Sequence, residues 1–205
     1  MAEYVDEFRG TDDLYYAEVT EDNNEVGEGQ GYVTGTVKRL APVAEISRTT
    51  ETASDTKYYD NKPAFTINAE GADTITLNVP ALDLATLADI TGKEIDATTG
   101  GFMDGEGTPK YFALGYRLGL TDGTYRYVWR YKGSFGIPNE ASATKNAGTD
   151  SSGQTLTYTG IMTNHIFTKP NAAQKALVVD ERDGKANLAN FFSTVTTCDT
   201  LTAKE

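Results

Sequence analysis

Alternation of polar and apolar positions is most regular over residues 109–135, PKYFALGYRLGLTDGTYRYVWRYKGSF. A period of two is the signature of strands. In the second half, Tyr125, Tyr127, Trp129 and Tyr131 fall on one face and Arg126, Val128, Arg130 and Lys132 on the other. In the first half, Phe112, Leu114, Tyr116 and Leu118 share a face opposite Ala113, Gly115, Arg117 and Gly119. Thr121-Asp122-Gly123 supplies the left-handed backbone of a tight turn, so the stretch predicts a central β-hairpin. Its aromatic face can bury a large area. A strand face with three cations and one valine is either solvated or meets carboxylates, of its own fold or of a neighbour.

The same period predicts strands at residues 14–19, 32–40, 64–68, 74–79, 154–169 and 176–179. Over residues 81–91 the spacing becomes helical, with Leu84, Leu87 and Ala88 on one face, Pro80 near the start and Gly92 placed to cap the end. Leu188, Phe191, Phe192 and Val195 suggest a second short helix over 186–194. Residues 1–13 read as an acidic arm, 21–31 as a loop, 96–108 as a glycine-rich connection and 139–153 as a low-complexity, flexible segment. Residues 42–60, PVAEISRTTETASDTKYYD, fit two descriptions: a long surface loop, or an extended hairpin or arm that finds its partner on another copy. The expected architecture is mainly β, a sandwich or barrel-like fold with one flanking helix.

A chain of 205 residues suffices for one good-sized core. Its net charge of −12 argues against nucleic acid as a sequence-read ligand, since phosphate binding needs a basic footprint. The charge is uneven: residues 1–28 hold ten carboxylates and one cation, residues 109–135 five cations and one carboxylate. Such asymmetry reflects either local solvation alone or head-to-tail association, in which one patch meets a different patch on the next copy.

Candidate chemistry is sparse. One histidine, His165, and one cysteine, Cys198, exclude an internal disulfide and a zinc site built of these residues, and they offer no assignable nucleophile–base pair. Asp22-Asn23-Asn24-Glu25-Val26-Gly27 resembles the start of a calcium loop, but Val26 occupies a ligand position and Val33 stands where the closing glutamate belongs. The glycine clusters at 27–31 and 105–107 lack the spacing and lysine of a phosphate loop. No catalytic residue, metal or cofactor is expected. The opening MAEYVDEFRG has neither a basic region nor an apolar run, so no signal peptide and no membrane partner are expected.

An ordered set of segments carries a family resemblance. It comprises Leu14-Tyr15-Tyr16-Ala17; Leu40-Ala41-Pro42 with residues 49–52; Leu77-Asn78-Val79-Pro80 running into the helix and Gly92; the hairpin with its YRYVWRYKG run; and Thr144-Lys145 before Gln154-Thr155. Over residues 14–168 the chain resembles the major tail protein, or tail-tube subunit, of phages with long non-contractile tails. The resemblance implies a tail-tube β domain over residues 14–170, hexameric rings stacked into a tube, and an acidic lumen through which double-stranded DNA leaves. It implies a tail terminator, a tape-measure protein and baseplate proteins as partners, and a place in the virion after assembly in the bacterial cytoplasm. It gives residues 42–60 an inter-subunit role, with Ile46, Arg48, Thr49, Glu51, Tyr58 and Tyr59 as candidates. The basic face of the hairpin separately offers Arg126, Arg130 and Lys132 as assembly candidates, meeting carboxylates of their own fold or of a neighbour. The role of residues 171–205 stays open. Two rivals are a carbohydrate-binding, adhesin-like β-sandwich using the tyrosines and Trp129 as a sugar platform, and a two-carboxylate hydrolase.

Overall fold

The computed structural model describes residues 5–24, 31–144 and 151–204. The first four residues of the expected N-terminal arm, the glycine run at 27–30 and the middle of the low-complexity segment lie outside the described residues. The chain is mainly β: a curled antiparallel sheet in the form of a half-barrel with one α-helix.

In chain order the strands are β1 (Phe8–Asp22), β2 (Tyr32–Thr34), β3 (Lys38–Ala41), β4 (Glu45–Tyr59) and β5 (Lys62–Val79). The helix α1 (Leu84–Thr91) and a two-stranded ribbon, β6 (Glu94–Ile95) with β7 (Phe102–Met103), follow. Then come β8 (Phe112–Leu120), β9 (Tyr125–Phe135), β10 (Gln154–Ile161) and β11 (Ala176–Asp180). The sheet runs β2-β1-β8-β9-β10-β5-β4, with β3 also on β1 and β11 also on β9.

The predicted hairpin is β8–β9, at the centre of the sheet, and Gly123 takes the left-handed conformation its turn needs, φ 86°. Both of its faces are covered. On the concave side Phe112, Leu114, Tyr116 and Val128 join Leu14, Ile75, Leu77, Leu156 and Tyr158, with Ile90 of α1 against them. On the other side Trp129 and Tyr131 lie under Phe167, Phe191 and Val195. That second layer comes from the last forty residues, so residues 171–205 are no appendage. They bury the aromatic face of β9.

Several elements differ from the sequence expectation. The N-terminal arm is already β1 from Phe8 onward, because β8 offers it a ladder. Residues 64–68 and 74–79 are one strand, β5. Residues 32–40 divide into β2 and β3, with the Gly35 N–H turning to the Glu18 carbonyl. β10 stops at Ile161: beyond it the N–H groups of Asn164 and His165 donate to the Asp22 carboxylate, which ends the ladder. Residues 186–194 hold no helix: Ala186 bridges to Ala203 and turns run over 189–195. Phe191 and Phe192 both pack against Tyr127.

The helix forms where expected. Asp83 caps its start by accepting from the Thr86 N–H, and Gly92 closes it at φ 66°. Leu87, Ala88 and Ile90 are buried, but Leu84 is not, because Leu82 of the preceding loop takes the place beside the core.

Candidate functional site

Residues 45–59 of this segment resolve into β4, the first arm of a long hairpin whose partner strand is β5 of the same chain. β4 and β5 pair along almost their whole length, and the turn residues Asp60 and Asn61 both adopt positive φ, 49° and 61°. Two successive left-handed residues make the turn type that matches strand twist. Asp and Asn tolerate that conformation best after glycine. That pair, which straddles the end of the 42–60 segment, is the sequence signal for a hairpin.

Only the base of this hairpin belongs to the sheet. β10 supports β5 from Asp73 to Val79. At Gly71 and Ala72 a bulge faces Glu51, and past it, over residues 51–59 and 62–70, the two strands leave the body as a ribbon. At strand rise this projects roughly 30 Å. The ribbon is amphipathic. Ala53, Asp55 and Lys57 pair with Ala69, Ile67 and Phe65 on one face; Thr52, Ser54 and Thr56 pair with Glu70, Asn68 and Thr66 on the other. Tyr59 stacks on Phe65, and Tyr58, Tyr59, Phe65 and Ile67 are each more than half exposed. Of the expected loop candidates, Thr49, Glu51, Tyr58 and Tyr59 are exposed, Ile46 packs at the core margin, and Arg48 stands at the base.

A charge cluster anchors the base of the arm. Asp73 of β5 is fully buried and accepts from Arg130 Nη1 at 2.7 Å and from the Thr50 hydroxyl at 2.7 Å. Arg48 stands 3.5 Å and Lys175 3.9 Å from the same carboxylate. Lys175 also donates to the Glu70 carboxylate and the Gly71 carbonyl, at the bulge itself.

The basic hairpin face is not solvated, and its three cations do not share it. Arg126 is held by both oxygens of Asp180, at 2.5 and 2.8 Å, and Arg130 by Asp73. Between Phe112 and Leu114 the pairing with β9 shifts register, so Tyr131 and Lys132 together oppose Ala113. This bulge turns Lys132 onto the aromatic side, where it meets Asp22 at 2.5 Å. Strict alternation in the sequence could not reveal the extra residue. All three cations therefore bind carboxylates of their own chain.

Burial alone would raise the Asp22 carboxyl, but Lys132 and the N–H groups of Asn164 and His165 outweigh it and hold its pKa below the ordinary value. The would-be calcium ligand is thus committed to a structural tie. Arg126 likewise holds Asp180 low. Burial pushes the Cys198 thiol up, away from reactivity. His165 lies edge-on to Phe167 with Nδ1 3.1 Å from the Asn23 carbonyl, a packing role. Trp129 and Tyr131 are fully buried: the indole N–H donates to the Phe191 carbonyl and the Tyr131 hydroxyl accepts from the Cys198 N–H. They form no open sugar platform.

The chain matches no protein-family model and no curated protein sequence.

Proposed function

We propose that this protein is a structural assembly subunit, the tail-tube protein of a long non-contractile phage tail. Copies form hexameric rings, and the rings stack around a lumen that conducts double-stranded DNA. One observation supports self-association above all: the amphipathic β4–β5 ribbon projects beyond the core with its apolar face uncovered. An isolated two-stranded ribbon is marginal in water, and a free edge strand is a template for pairing. A second copy satisfies both. The tail-tube class itself rests on the ordered segments from Leu14 to Gln154. The acid excess fits a lumen that repels phosphate and lets DNA slide. In this reading the tail terminator, tape-measure and baseplate proteins are the further partners, and the assembled virion is the destination. The chemistry is assembly, with no turnover. Burial of Trp129 and Tyr131 removes these two rings from the sugar-platform alternative.

The test is negative-stain electron microscopy of the concentrated full-length protein. Rings or tubes with a central hole are expected. A monomer that binds glycans on an array overturns the reading.

A further inference from the structure

The curl of the sheet leaves a trough on its concave side that the core does not fill, with a volume of about 520 Å³. Phe8 of β1 and Ile46 of β4 stand on its rims; Leu118 and Val128 lie along its floor, and Val178 of β11 lines it as well. Phe8 is 59% and Val178 50% exposed. Among the described residues both rim strands have an edge without a strand partner. β1 is joined by β3 and β2 only from Leu14 onward, and β4 is the last strand of the sheet.

Arg130 also lines this trough. Its side chain is only 9% exposed, and its Nε is buried without an acceptor. A buried unsatisfied N–H is costly, all the more on a charged group. Arg130 and Arg48 share one carboxylate, Asp73, which Lys175 approaches as well. Glu45, the carboxylate lining the trough, accepts from Asn78 instead. Arg126 uses both oxygens of Asp180. The trough therefore combines two open strand edges, apolar walls and a guanidinium pair one carboxylate short.

We propose that an extended segment of a second copy of this chain lies in the trough, adds as a strand to the free edge of β1 or β4, and delivers a carboxylate to Arg130 and Arg48. This rests on the tube-subunit reading and specifies one of its contacts. The chain supplies what the trough lacks: its net charge is −12, and ten of its carboxylates fall within residues 1–28. Strand addition provides main-chain hydrogen bonds, and alternate side chains provide the fit. A carboxylate at a guanidinium makes the stronger, charge-assisted kind of bond. A free anion would leave Phe8, Ile46 and Val178 unused.

The experiment is hydrogen exchange on the full-length protein as a function of concentration, reading backbone amides at residues 8–12 and 45–50. Exchange at one edge or both is expected to slow by about twofold or more as concentration rises toward about 1 mM, the slowing that a Kd at the weak, millimolar end of the affinity range produces there. Val178→Glu, at an exposed position outside the charge cluster, is expected to abolish the slowing while leaving Tm unchanged, and Arg48→Gln, which removes the charge without reversing it beside Asp73, is expected to weaken it. Edges indifferent to concentration, or variants that behave as wild type, overturn the proposal. The wild-type series decides even if a variant folds poorly. Micrographs of the same samples separate the two levels. Tubes whose edges exchange as in dilute protein overturn the trough and keep the tube. Protected edges in a closed dimer without rings keep the trough and overturn the tube.

Discussion

Arg130 on β9 and Asp73 on β5 meet at 2.7 Å in the interior, with Asp73 paired to Gly160 of the intervening strand β10. The contact joins the central hairpin to the base of the projecting arm. Removing one partner of such a pair leaves a buried uncompensated charge. Asp73→Ala is therefore expected to lower stability by about 3–5 kcal/mol in urea unfolding. Charge reversal at Arg130 should likewise damage folding before any assembly step. Exposed Arg48 is the cation at which assembly is to be tested.

The arm behaves oppositely. Phe65 and Ile67 are exposed and outside both core clusters. Phe65→Ser with Ile67→Ser should leave Tm within a degree or two of wild type, since exposed substitutions cost within about 0.5 kcal/mol. Tube or ring formation in electron micrographs should be lost. Normal tubes from this variant would remove the arm from the assembly contact.

Gly115 faces Trp129, and a Cβ built on it would lie 2.8 Å from the indole ring. The ring cannot retreat, because Phe192 packs on it and its N–H is fixed to the Phe191 carbonyl. Gly115→Ala is expected to cost about 1–3 kcal/mol by overpacking, read from the urea midpoint.

Phe191 tests whether the C-terminal segment belongs to the core. Its truncation in Phe191→Ala opens the layer over Trp129 and Tyr127, at an expected cost of about 3–5 kcal/mol. A stable variant that keeps the wild-type Trp129 fluorescence would show that the segment merely drapes over the sheet.

Stability should fall in acid. Asp180, through Arg126, and Asp22, against its own burial and through Lys132, have pKa values depressed in the folded state. Groups of this kind contribute stability that is present above the ordinary aspartate pKa of about 4 and is lost as pH falls through the folded value. Tm should hold from pH 7 to about 5 and then drop. Asp180→Asn should make the acid drop shallower while lowering Tm at pH 7.

The mainly β class, the central hairpin with its Asp122-Gly123 turn, the short helix with its Gly92 cap and the terminal strand β11 were all legible in the sequence. Each is set by local rules: period two, period 3.6, and residues that tolerate positive φ. The orientation of Arg126, Arg130 and Lys132 was not. The bulge at Tyr131 and Lys132 moves one cation to the other face, and their carboxylates lie about 54, 57 and 110 residues away along the chain. Whether residues 42–60 were loop or strand was equally undecided, because the apolar residues that alternate along the ribbon, Phe65, Ile67 and Ala69, lie on its partner strand β5, and the β4 positions opposite them include Asp55 and Lys57. The Phe191-Phe192 pair read as helical only until a sheet surface was there to receive both rings. Local stereochemistry is written residue by residue. The partner of a buried charge, and the face a tail will cover, are decided only when distant segments compete for the same space.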